Sequence, residues 1–293
     1  MAIAILVIGE FLVPRIALAA DVTNSFSQSR YKVAVCDWMI LKRQKLGAFQ
    51  LTKEIGADGV EVDMGSLGQR ETFASSLTND ANCQQFLAKA RELNLGISSI
   101  AMSGFYAQSF AERTNVLRLV QDCVDTMKAM DVKIAFLPLG VNSDLLKHPE
   151  LRVPVVERLK AAGKLAEAVG VVIGVETELD ADDQIKLLDE VGSPAIKIYY
   201  NLASAIQHQR DCVAELKKLG RARVCQIHFS NQDAYWLQND PLVNAQNIKL
   251  VLDEMNWRGW LVIERSRDTN DVHNVKKSYG ANAAYLKSVF QKP

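Results

Sequence analysis

The sequence predicts a single (β/α)8 barrel, an α/β fold of the TIM class, and three observations carry that prediction. After Ser29, short β-branched apolar runs alternate with longer segments of helical periodicity. The runs number eight and are apolar almost throughout, as parallel strands covered on both faces must be. No Gly-x-Gly-x-x-Gly turn follows an early strand, and an open doubly wound sheet would more often show one. A chain of 293 residues with 48% apolar residues can bury a core of this size. One catalytic barrel domain is expected over residues 30–293.

The first twenty residues, MAIAILVIGEFLVPRIALAA, join an apolar run to an Ala-Leu-Ala-Ala end and read as an export signal. A periplasmic or secreted protein is therefore expected, with a cytoplasmic one as the alternative. The run is too short, and too interrupted by Glu10 and Arg15, for stable membrane insertion. The eight strand runs are YKVAVCDW (31–38), DGVEVDM (58–64), LGISSIAM (95–102), VKIAFLPLG (132–140), GVVIGVETE (170–178), AIKIYYN (195–201), RVCQIHFS (223–230) and GWLVIERS (259–266). Between and after them lie helical segments such as LGAFQLTKEIG, CQQFLAKARELN, VLRLVQDCVDTMKAMD and VERLKAAGKLAEAVG, most closed by Gly or Asn. ADDQIKLLDEVG, DCVAELKKLG, AQNIKLVLDEMN and VKKSYGANAAYLKSVF complete the eight units.

Lys plus Arg and Asp plus Glu stand at 34 each, so no basic excess exists to hold a phosphate backbone and nucleic acid is not expected as a partner. Five cysteines, with no close pair and no Cys-x-x-Cys, read as buried free thiols. The oligomeric state stays open, a homo-oligomer included.

Barrel chemistry sits at the carboxyl ends of the strands, so the polar residues at which each apolar run stops are the candidates. Strands five to eight end at Glu176, Asn201, His228 and Glu264, one βα unit apart, and these four should reach the mouth at similar height. Two carboxylates, an imidazole and an amide oxygen form a donor set suited to one divalent metal, Mn, Mg or Co, with Zn compatible. Glu176 and Glu264 would also serve as catalytic bases.

The pattern IGVET, IYYN, QIHFSNQD and VIERS, with GVEVDMGSLGQRETF after strand two, resembles the sugar phosphate isomerase/epimerase-like barrels, relatives of xylose isomerase and ketose 3-epimerases. That resemblance implies a metal held by Glu, Asp, His and Glu, of which Glu176, His228 and Glu264 match and Asn201 departs. Ser230 and Asn231 stand where the family has Lys and Asp. It further implies an isomerase or epimerase that draws a proton from a keto or aldo sugar to form an enediolate. Two alternatives stand beside it: a lyase or hydratase in which the enolate of a keto-sugar ejects a neighbouring group, and a carbohydrate-binding barrel that has lost turnover.

Further substrate-binding candidates are Asp37 and Trp38 after strand one, Glu61 and Asp63 on strand two, Arg70 in the Gly-rich loop MGSLGQRE, and Arg265 beside Glu264. Trp38 could stack on a sugar ring, and the Gly-rich loop could cradle an anion. Glu61 could equally belong to a buried ion pair.

Overall fold

The computed structural model describes residues 29–291, and the expected export signal lies outside them. Eight parallel strands close on themselves in chain order: β1 (Tyr31–Cys36), β2 (Gly59–Asp63), β3 (Gly96–Ala101), β4 (Ile134–Pro138), β5 (Val172–Glu176), β6 (Ile196–Asn201), β7 (Val224–His228) and β8 (Gly259–Ile263). Each lies inside its predicted run and is shorter by one to four residues, most of the runs continuing into the loops at their ends. Trp260 packs so close to Gly59 and Gly96 that a Cβ at either would meet its indole within 2.8 Å.

The predicted helices appear as α1 (Gly47–Ile55), α2 (Asp80–Glu92), α3 (Val116–Met130), α4 (Arg152–Val169), α5 (Ala181–Val191), α7 (Cys212–Arg223), α8 (Ala245–Glu254) and α9 (Val275–Phe290). A ninth helix, α6 (Leu202–Gln207), starts directly after β6 and was not expected from the sequence. Its six residues are too few to show a helical period, and it owes its start to a side-chain cap described below.

Helix α3 shows how the outer layer holds. Leu119, Val120, Cys123, Val124, Met127 and Met130 recur at helical spacing and are buried against the sheet. Each such fully buried aliphatic side chain contributes about 1.5–3 kcal/mol. Strand residues divide by parity. Val33, Val35, Val60, Val62, Val175, Ile227 and Ile263 pack outward with the helices, whereas Ala34, Cys36, Phe136, Tyr199 and Val262 form a small inner cluster. Glu61, Glu176, Asn201, His228 and Glu264 alternate with the outward set, so all five fall on the inner side. The five cysteines are free thiols, three of them buried and two half-buried. Among the described residues no helix is long and apolar enough to cross a membrane.

Candidate active site

Glu176, Asn201 and His228 are the last residues of β5, β6 and β7, and Glu264 follows β8 by one. Asn201 pairs in register with His228, and His228 with Val262, so the strand ladder sets their common height. The imidazole of His228 is fully buried, with ring centroids 4.6 Å from Phe136 and 4.5 Å from Tyr199. Its Nδ1 lies 2.9 Å from Glu176 Oε2 and 3.8 Å from Glu264 Oε2, and its Nε2 lies 3.0 Å from Glu61 Oε2. Burial works against charge on this ring, but Glu61 and Glu264, with hydrogen bonds to Glu176 and Glu61, outweigh it and hold the His228 pKa well above the ordinary imidazole value.

Glu61 is saturated. Its Oε1 accepts from Ser99 Oγ at 2.8 Å and Tyr199 OH at 2.9 Å, while its Oε2 meets His228 and accepts from Cys36 Sγ at 3.3 Å. Burial first, and the Glu61 charge second, raise the Cys36 thiol far above its normal range, so it stays a donor. Glu61 therefore belongs to an ion pair beneath the site and is not exposed for a substrate. A carboxylate on one ring nitrogen fixes which nitrogen faces the other way, here Nδ1 toward Glu176 and Glu264.

Tyr106, which sequence reasoning missed, sits at the end of a 3-10 turn (Ser103–Tyr106) after β3. Its hydroxyl lies 2.9 Å from Glu176 Oε1 and 2.8 Å from Glu264 Oε1. Burial, then the two glutamates, push its phenol well above the usual value, so it remains a neutral proton donor. Gly140, at φ +58°, lets the next loop press on this turn: a Cβ there would meet Phe105 O at 2.4 Å and Tyr106 Cα at 2.7 Å. An aromatic residue with a polar tip just past a strand exit is the only sequence signal that could have found it. Glu176 itself is shifted upward, first by burial, against the lowering effect of His228.

Asn201 does not present the oxygen expected of a ligand. Its Oδ1 accepts from Ala203 N at 2.9 Å and caps α6, and its amino group donates to Glu176 Oε2 at 2.8 Å, with Glu264 Oε2 at 3.5 Å. The donor chemistry for one divalent ion is thus met by Glu176, His228 and Glu264, all buried, whose ligand atoms lie within 4.8 Å of one another. Cys36, Glu61 and His228 satisfy the same distance, but their contacts are already spent on orienting the ring.

A cavity of about 260 Å³ opens above this cluster, lined by Tyr106, Glu176, Asn201, Glu264 and Arg265, with Lys147, Glu178, Ser204, Gln207 and Gln232 on its walls. Arg265 lines this cavity, its Nη1 3.3 Å from Gln232 Oε1. Three other candidates are held elsewhere. Asp37 is fully buried and accepts from the backbone N–H of Gln44 at 2.8 Å and of Asp63 at 3.3 Å. Asp63 accepts from Ser103 N at 3.2 Å and pairs with Arg43 at 2.9 Å. Trp38 is half-buried and stacks on Phe136 at 6.4 Å, packed with the inner cluster. In the Gly-rich loop the carbonyls of Gly68 and Arg70 accept from the Arg113 guanidinium, and the Arg70 side chain is exposed.

Comparison with known proteins fits this geometry. The chain is 24% identical over 183 residues to 2-epi-5-epi-valiolone 7-phosphate 2-epimerase of Actinoplanes sp., a match spanning 61% of this chain and 65%, just under two thirds, of that relative. A D-psicose 3-epimerase structure determined in the presence of D-fructose superposes with a TM-score of 0.71 at 13% identity, covering 89% of this chain and 100% of the other. The 3-keto-D-glucoside 4-epimerase of E. coli superposes at 0.67 with 16% identity, again over 89% and 100%. At such identities the superpositions speak for the fold. The family model described as xylose isomerase-like TIM barrel matches residues 49–289, most of the chain, and the protein belongs to that family.

Proposed function

We propose that this protein is a sugar isomerase or epimerase that moves a proton at a carbon beside the carbonyl of a keto or aldo sugar, with Glu176 and Glu264 as the two proton-transfer groups. The observation that carries this reading is the pair of buried carboxylates meeting one hydroxyl, Tyr106, on the floor of a cavity at the barrel mouth. Their Oε1 atoms share that hydroxyl, and their Oε2 atoms turn toward His228 and Asn201. The cavity is smaller than the roughly 300–1,000 Å³ pockets of drug-sized ligands and suits a single sugar ring.

In this reading one carboxylate takes the proton from carbon, the electron pair enters the carbonyl to give an enediolate, and the second carboxylate returns a proton. Burial raises the Glu176 carboxyl above the ordinary carboxylate range, against the lowering effect of His228, which eases its taking and returning a proton. Arg265, Gln232, Ser204 and Gln207 offer hydrogen bonds to the sugar hydroxyls. A divalent ion (Mn, Mg, Co or Zn) held by Glu176, His228 and Glu264 would, when bound, supply the positive charge that makes the hydrogen beside the carbonyl more acidic. The names of the related epimerases support a carbohydrate substrate.

Incubation with a panel of ketoses, aldoses and 3-keto-glucosides in D2O with added Mn²⁺, followed by NMR, tests the reading. Deuterium should enter at the carbon beside the carbonyl, and Glu176→Gln and Glu264→Gln should abolish the exchange. Sugar binding without any deuterium incorporation would instead mark a carbohydrate-binding barrel.

A further inference from the structure

Helix α6 begins at Leu202 with no intervening loop, so the last residue of β6 must also be the helix N-cap. An N-cap needs an acceptor for the first free N–H groups of the helix. Asn201, in extended backbone at φ −111° and ψ 116°, gives its one oxygen to Ala203 N at 2.9 Å. An aspartate there would keep a second oxygen for the cavity. The asparagine keeps an amino group instead, and that group lies 2.8 Å from Glu176 Oε2 and 3.5 Å from Glu264 Oε2. These are the two oxygens that flank His228 Nδ1, at 2.9 and 3.8 Å.

Turning the amide over is opposed at both ends. The oxygen would then face Glu176 Oε2, two acceptors in contact, and the amino group would face the Ala203 N–H, two donors in contact. The turn would also deprive the Ala203 N–H of the one side-chain acceptor it has. The Tyr106 hydroxyl lies between the other oxygens of the two glutamates, and its single hydrogen satisfies one of them at a time, so Tyr106, Asn201 and the His228 ring together hold the carboxylate pair.

We propose that Asn201 is a positioning residue which competes with the divalent ion for Glu176 and Glu264, so that the ion rests on three protein side chains and exchanges readily. The inference rests on the metal-assisted reading above. It assigns to Asn201 a donor role opposite in sign to that of a ligand. The amino group takes over part of the work of a cation when the ion is absent, keeping the two carboxylates in register, and has to be displaced or left facing a positive charge when the ion enters.

Calorimetric titration of the chelator-stripped chain with Mn²⁺ tests the sign, with circular dichroism as the check on folding. The variants are Asn201→Ser, which keeps a capping oxygen and loses the amino group, Asn201→Ala, which loses both, and Asn201→Asp, which can cap and ligate at once. Asn201→Ser is expected to bind Mn²⁺ at least as tightly as the wild type, and Asn201→Asp to bind it on the order of tenfold or more tightly. Should the Ala variant unfold, the Ser variant alone decides. A loss of affinity of about tenfold in Asn201→Ser would make Asn201 a ligand and overturn the inference while leaving the metal reading intact. Equal affinities in wild type and Asn201→Asp would also overturn it, since the side chain would then not face the ion. Mn²⁺ binding by none of the proteins would overturn the metal reading and this inference together.

Discussion

The two halves of the barrel carry acidic residues at their strand exits and use them differently. Strands β1 and β2 bring Asp37, Glu61 and Asp63, each fully buried. Strands β5 and β8 bring Glu176 and Glu264, which border the cavity. Period-2 alternation places Glu61 and Asp63 on the inner face together with Glu176 and Glu264, so strand geometry does not separate them, while Asp37, one residue past β1, shares the parity of Val33 and Val35. The loops do. After β1, Gln44 reaches Asp37 through its backbone N–H and the Asp63 carbonyl through its side-chain amide, while Arg43 pairs with Asp63, and the first half is closed by the chain itself. Above β5 to β8 the strand exits stay open to the cavity, which the loops after β3 and β4 close from the other side with Tyr106, Gly140 and Lys147. A carboxylate at a strand exit is free for chemistry only where the following loop does not consume its oxygens.

The sharpest way to break this contrast is to neutralise one acid from each half. Glu176→Gln and Glu264→Gln should each lower turnover at least about a thousandfold with the fold intact, since each removes a proton-transfer group and a negative charge facing the metal position. Asp37→Asn should act on stability, with turnover per folded molecule staying within a few-fold, because its carboxylate accepts only from backbone N–H groups, of Gln44 in the loop and of Asp63 at the end of β2. Steady-state rates normalised to the folded fraction separate the two results. A thousandfold loss in Asp37→Asn would move that residue into the catalytic machinery.

The first half should also show itself in the pH dependence of stability. Burial, partly offset by Arg43, raises Asp63 to about 6. Its pKa in the unfolded chain is about 3.9, so the folded state binds the proton more tightly. The stabilising contribution is therefore complete below about pH 3.9 and is lost as pH rises through about 6. Urea unfolding between pH 4 and pH 7 should register a decline from this site on the order of 2 kcal/mol, and Asp63→Asn should flatten it. A wild-type profile with the same slope as Asp63→Asn would show that the proton is not held there.

The sequence made the barrel legible because its signals are redundant: eight apolar runs, eight helical periods and their Gly or Asn stops agree with one another. Glu176, His228 and Glu264 were legible for a narrower reason, since each interrupts or ends an apolar run at the strand exit. Tyr106 was not, because a 3-10 turn has no repeating pattern and its aim depends on Gly140 from another loop. The direction of the Asn201 amide was not legible either, being decided by a short helix below the length that periodicity can detect. Asp37 and Asp63 read as open residues because the partners that close over them, Arg43, Gln44 and Ser103, come from loops whose course no local pattern specifies.

The smallest expected effect belongs to Arg70, and it sharpens the same contrast. The Gly-rich loop after β2 has the composition of an anion cradle, yet its geometry is explained without an anion. Gly65, at φ +94°, lies so close to the following chain that a Cβ would meet Ala74 O at 2.4 Å, so glycine is needed for packing as well as for conformation. Arg113, from the loop after β3, donates to Gly68 O at 3.0 Å and to Arg70 O, tying the two loops together through backbone carbonyls. The Arg70 guanidinium is exposed, forms no ion pair among the described residues, and has one contact at the limit of hydrogen bonding, 3.5 Å to Leu67 O. Arg70→Ala should therefore change stability by no more than about 0.5 kcal/mol and leave kcat and KM within about twofold. Arg113→Ala, which removes the donor that gathers the loop carbonyls, should cost more, on the order of 1 kcal/mol for each lost hydrogen bond. Thermal unfolding with steady-state kinetics on the two variants distinguishes side chain from backbone. A tenfold rise in KM on losing Arg70 alone would place the first-half loop over the substrate and end the division between a closed half and an open one.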